Sequence, residues 1–173
     1  MTEVDPVEYY GRRGIRPGQI VDVPSSFTDT LRKYFALDRS ERDRFLRASF
    51  WFQNARTTDS SSAMFTALIS AVEALMPSDP GGPSCPECHR STGPGPTARF
   101  ATFVDDLAPG IPNQARRRLY SIRSALSHGG SLLPSDRSHL SGAMTQPHLE
   151  EWEDILLAEQ LVRTTLVNWL RAR

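Results

Sequence analysis

The 173-residue sequence predicts an all-α protein: a helical bundle of about five to six helices with one long Pro/Gly-rich loop. Three observations lead there. Apolar residues recur at spacings of three and four in successive segments, no segment alternates convincingly with period two, and Pro and Gly gather between the periodic segments. A chain of this length is expected to form one domain with a real core. Residues 1–25 read as an irregular leader and 26–173 as the helical domain, into which a loop over 77–97 is inserted.

The elements follow in order. Gly11, Gly14, Pro17, Gly18 and Pro24 punctuate the leader. The string "SSFTDTLRKYF" offers a Ser cap and a short helix. From about Ser40 to Ala55, Phe45, Ala48, Trp51 and Phe52 recur at helical spacing between charges, and this aromatic face is expected in the core. The span from about Ser61 to Met76 is the most apolar. Phe65, Leu68, Ile69, Val72 and Leu75 form a wide stripe, and Pro77 ends it. Half of the residues from Pro77 to Pro96 are Pro or Gly, which forbids a regular element. A fourth helix carries Phe100, Phe103, Val104 and Leu107 on one side and stops near Pro109 and Gly110. The fifth spans "RRRLYSIRSALSHGG". After a polar segment around Pro134, residues 148–171 place Leu149, Trp152, Ile155, Leu156, Val162, Leu166 and Trp169 on a last helix, roughly 36 Å long at 1.5 Å per residue.

Composition narrows the partners. Acidic and basic residues balance, so no global field draws the chain to nucleic acid or an anionic membrane, and any such binding is local. Of the basic residues only Lys33 is a lysine. That bias follows from genomic base composition as readily as from phosphate recognition. With no N-terminal apolar run resembling a signal peptide or membrane span, the expectation is a soluble cytoplasmic protein without a membrane partner.

In the fifth helix, Ala115, Leu119, Ile122 and Leu126 form the stripe that must face the core. Arg116, Tyr120, Arg123 and Ser127, at i, i+4, i+7 and i+11, then make a polar strip along its flank. His128 falls about 140° from Arg123 on an ideal helix and points away from the core. Helix-terminal carbonyls favour a protonated imidazole there, which suits a general acid, and Arg123 offers a planar fork of donors that matches phosphate oxygens. The competing reading is structural: Arg123 pairs with a core-edge carboxylate such as Glu73, and His128 is a surface residue at a helix end.

The longer string "YSIRSALSHGG" resembles the end of the motif helix of HEPN domains, most closely the Apea-like branch: Tyr, an apolar residue, Arg, four residues, His, Gly. Upstream, "FLRASFWFQNARTTDSSSAMFTALISAVEALMP" resembles the preceding helix pair of that family. The similarity covers roughly Phe27 to Gly130 and, less specifically, the last helix. It implies an all-α homodimer whose motif helices approach across a twofold axis. It also implies metal-independent endoribonuclease activity, in bacterial toxin–antitoxin or anti-phage defence modules, with an antitoxin or sensor as a further partner. Carried over residue by residue, Arg123 holds and polarises the scissile phosphate of RNA. His128 moves a proton as the ribose 2′-hydroxyl attacks, leaving a 2′,3′-cyclic phosphate and a 5′-hydroxyl. Ser124 departs from the pattern, since many active members carry Asn, Asp or His there, and a hydroxyl orients a phosphate more weakly than an amide or imidazole. A rival class is a catalytically inactive dimerisation or nucleotide/RNA-binding regulatory module of the same fold.

Around this pair several residues have two readings. Glu73 either sets the rotamer of Arg123 or its neighbour, or is a boundary residue reaching solvent or another Arg. Tyr120 either stacks on RNA or packs between helices, the second being favoured. Arg116 and Ser127 lie on the strip as candidate RNA-backbone contacts, whereas Arg117 and Arg118 point elsewhere. Catalysis by this set requires no cofactor. Cys85 and Cys88, in "CPECH", read as half of a structural zinc site that needs His89, His139, His148 or a second copy to complete it, or as an unliganded loop. A zinc-organised scaffold is the third functional class.

Overall fold

A computed structural model describes residues 26–77, 93–137 and 146–173. Seven helices and no strand occur among them: α1 (Phe27–Ala36), α2 (Arg39–Ala55), α3 (Ser61–Leu75), α4 (Pro96–Phe103), α5 (Asn113–Ser127), α6 (Pro134–Arg137) and α7 (Gln146–Arg171). The all-α expectation holds, with one helix beyond the expected six: the four-residue α6, inside the segment read as polar connection. The expected leader over 1–25, and the loop apart from its ends, lie outside the described residues.

The middle of the bundle is α3, because its sequence is apolar nearly all round. Phe65, Ala67, Leu68, Ile69, Ala71, Val72 and Leu75 are all buried. α2, α5 and α7 pack around it, α4 pairs with α5, and α1 and α6 lie against α7. Each fully buried side chain of Leu, Ile or Phe size contributes roughly 2 kcal/mol, so this one helix anchors much of the core.

Its N-terminus is heavily bonded. The Ser60 hydroxyl accepts from the Ala63 N–H, and the Asp136 carboxylate on α6 accepts from the Ser61 and Ser62 N–H groups and the Ser60 hydroxyl. Ser62 Oγ in turn accepts from the Leu133 N–H. Burial pushes the Asp136 carboxyl up, but the hydrogen bonds from Ser62, Ser60 and Ser61 outweigh it and hold the group below its ordinary value. Glu151, buried on α7, accepts from the Ser135 N–H. The polar segment is therefore pinned to two helices.

Two expectations need correction. Ser26 makes no side-chain cap on α1. Trp51 is exposed, because the face of α2 turned to α3 is made of Ala48 and Ala55, small residues that bring the helices close. Phe45 and Phe52 flank that seam, Phe45 stacking on Trp169 at 6.0 Å. On α7, Ile155, Val162, Leu166 and Trp169 are buried, whereas Leu149, Trp152 and Leu156 of the same helix are exposed. Glu151 and Asp154 occupy the inner face of the first turns, and their partners, Ser135 and Arg118, lie far away in sequence. No helix of the described residues is long and apolar enough to cross a membrane.

Candidate functional site

The glycine pair after His128 is explained by how α5 stops. The Gly129 N–H bonds the Leu126 carbonyl at 3.1 Å, and the Gly130 N–H bonds the Ala125 carbonyl at 2.9 Å. Those two bonds, with Gly129 at φ +69°, form a Schellman termination, in which a left-handed residue closes the last turn. A side chain at Gly129 meets no neighbour but is strained by that φ. His128 is the last residue before the reversal, exposed, and among the described residues its ring has no hydrogen-bond or ion-pair partner.

One turn earlier, Arg123 is held from α3. Its Nη2 lies 2.7 Å from Glu73 Oε2, and the Tyr120 hydroxyl donates to the other carboxylate oxygen, Oε1, at 3.1 Å. The guanidinium also stands over the Tyr120 ring, 5.8 Å from its centroid, and that ring packs on Phe100 at 4.8 Å. Glu73 thus bridges the cation and the phenol with one oxygen each. Arg123 Nε is buried without an acceptor among the described residues, while about a quarter of the side chain stays exposed. Burial, followed by the charge of Glu73 and its hydrogen bond, pushes the Tyr120 hydroxyl above its ordinary value despite the opposing Arg123 and Arg99.

Of the residues singled out in the sequence, the fold brings Glu73, Tyr120 and Arg123 into one network. Tyr120 is 8% exposed and serves as a packing residue rather than a free stacking platform. Ser124 is half-buried, with its carbonyl taken by the His128 N–H at 3.1 Å, and Ser127 is exposed. Arg116 does not join a strip facing solvent. Only 5% exposed, it places Nη2 2.6 Å from Asp105 and donates through Nη1 to the Ala101 carbonyl. Its charge is consumed beneath α4, which runs antiparallel to α5, so the RNA-contact reading of Arg116 is withdrawn. Arg117 bonds Asn113 and Arg118 bonds Asp154.

Sequence reading missed Arg99. With Glu73, Met76, Pro77, Pro96 and Tyr120 it lines a hollow of about 260 Å³ beside the Arg123 network. The available signal was its position as the sole charged residue of α4. Cys85, Cys88, His89 and His139 lie outside the described residues. Among the described residues no group of three or more His, Cys, Asp or Glu side chains is placed to hold a metal ion.

No protein-family model, no curated protein and no solved structure matches the chain.

Proposed function

We propose that the chain is a metal-independent endoribonuclease of the HEPN type, which cuts RNA where Arg123 of one copy and His128 of a second copy converge on a phosphate. Arg123 holds the phosphate oxygens and offsets their growing charge. As the 2′-oxygen bonds to phosphorus its proton passes to His128. The bond from phosphorus to the 5′-oxygen breaks, and that oxygen takes the proton from the His128 imidazolium so formed, which acts as general acid, leaving a 2′,3′-cyclic phosphate and a 5′-hydroxyl. Glu73 and Tyr120 fix the cation, and Ser124 sits beside it.

One observation carries this reading: at the end of a single helix, a guanidinium is oriented by a bridging carboxylate while an exposed imidazole, without a partner among the described residues, stands five residues on. The roughly 140° between the two on the helix favours convergence between copies over convergence within one. Assignment to a bacterial toxin or anti-phage defence module, with an antitoxin or sensor as partner, follows from the sequence resemblance alone. A second reading, a non-catalytic dimerisation or nucleotide/RNA-binding regulatory module, is favoured by the fact that Glu73 already neutralises Arg123 within one chain. The test is incubation of the purified chain and its His128→Ala variant with end-labelled single-stranded RNA in excess chelator. The nuclease reading expects fragments ending in cyclic phosphate from the wild-type chain only. Identical products from both proteins, or none from either, sink it.

A further inference from the structure

We propose that the hollow beside Arg123 is a base pocket that selects guanine, so that the RNA is held by a base as well as by its phosphate. This deepens the nuclease reading and rests on it for one thing only, the phosphate at Arg123. The hollow opens between the end of α3 and the first turn of α4, where Met76, Pro77 and Pro96 supply its apolar surface. Two rigid proline rings and a pliable thioether are faces against which a flat aromatic ring system packs. At about 260 Å³ the hollow is smaller than the roughly 300–1,000 Å³ of sites for drug-sized ligands, so it takes one ring system rather than a whole nucleotide. Glu73 and Tyr120 line it and also hold Arg123, which puts a base seated there one side chain away from the guanidinium.

What identifies the occupant is the pair of charged groups on the wall. Glu73 only accepts. One of its oxygens takes Arg123 and the other the Tyr120 hydroxyl, but a carboxylate has about four lone-pair positions, so each oxygen has one to spare. Arg99, half-buried on α4, only donates, and its planar fork carries more N–H groups than a single contact consumes. A base that satisfies both turns donors to the carboxylate and acceptors to the guanidinium. Guanine does so, with N1–H and the N2 amino group on one edge and O6 and N7 on the next, the second being the edge that arginine reads most often. Adenine carries an amino group where guanine has O6, which sets donor against donor at Arg99. Cytosine and uracil are single rings that leave part of the hollow empty, and neither presents two adjacent donor groups to Glu73.

The experiment is calorimetric titration of the full chain with guanosine 3′- and 5′-monophosphate and with their adenosine, cytidine, uridine and inosine counterparts. The tighter of the two guanosine forms binds at least about tenfold more tightly than the same form of adenosine, cytidine or uridine. Inosine, which lacks only the N2 amino group, binds more weakly than guanosine. Arg99→Met, its folding checked by circular dichroism, brings guanosine and adenosine to within about threefold of each other. A wild-type chain that binds none of the nucleotides or all alike, inosine as tight as guanosine, or a folded Arg99→Met variant that keeps the preference overturns the proposal. Should Arg99→Met not fold, the series on the wild-type chain decides. RNA cleavage is read separately: guanosine selectivity in a chain that cuts no RNA keeps the pocket and sinks the nuclease, and cleavage indifferent to guanine beside the cut does the opposite.

Discussion

Arg116 and Arg123 stand seven residues apart on one helix, within about 20° of each other on its circumference, yet they have opposite fates. Arg116 is under α4, sealed by Asp105 and the Ala101 carbonyl, with almost no surface left. Arg123 lies where α4 has given out towards its N-terminus at Pro96, so its partner comes from α3 and part of its guanidinium remains open. Residue type and helical phase are the same. What differs is the neighbouring element and how much water it excludes. A desolvated cation with a fixed partner is a brace, whereas one that keeps about a quarter of its side chain exposed is the one the proposed reaction would draw on.

Exchanging consequences between the two halves of α5 sharpens this comparison. The largest effect expected is on activity: His128→Ala lowers RNA cleavage by about 10²–10⁴-fold, the usual contribution of a proton-transfer group, while changing the melting temperature by no more than about a degree or two, because the residue is exposed. Arg116→Ala does the reverse. It costs about 2 kcal/mol by chemical denaturation, chiefly through the cavity left by a buried side chain, whereas Arg116→Met, apolar and of similar length, stays within about 1 kcal/mol of the wild type because Asp105 is itself largely exposed. If Arg116→Ala proves as stable as Arg123→Ala, the contrast between the halves fails.

Asp136→Asn tests the other well-bonded helix end. It loses about 1–2 kcal/mol at neutral pH, since Ser61 and Ser62 lose a charged acceptor. The folded carboxyl lies below its ordinary value, so the wild type's advantage is full above the ordinary carboxylate range and disappears as pH falls through the folded value. Denaturation midpoints at neutral and at strongly acidic pH read that convergence. Gly129→Ala costs about 1 kcal/mol, the strain of a side chain at φ +69°, and serves as the control for the end of α5. Glu73→Gln is the mildest change. It keeps the shape of the Arg123 anchor but removes its charge, and cleavage falls by about tenfold with little loss of stability.

The sequence carried the parts that depend on a single helix. The stripe from Phe65 to Leu75 and the outward position of His128 follow from apolar runs and phase alone, whereas of the two readings of Glu73 only the fold selects the one that pairs it with Arg123. Phase says which residues share a face but not what covers it. Arg116 read as surface because its covering element, α4, ends in the turn that supplies Asp105. Leu149, Trp152 and Leu156 are as apolar as the buried residues of α7. Only the fold reveals that Glu151 and Asp154, taken up by the Ser135 N–H and Arg118, hold the inner face in the first turns. In both places the deciding partner is distant in the chain, the term a periodicity argument omits.

The central claim is that cleavage needs a guanidinium and an imidazole from two copies, and mixing the two inactive variants tests it most directly. Arg123→Ala and His128→Ala, each silent alone, are combined in equal amounts in chelator and assayed on labelled RNA. Return of cleavage in the mixture is the predicted result, because a hybrid pair contains one intact set. A mixture as silent as its components, with exchange of copies demonstrated, contradicts the account.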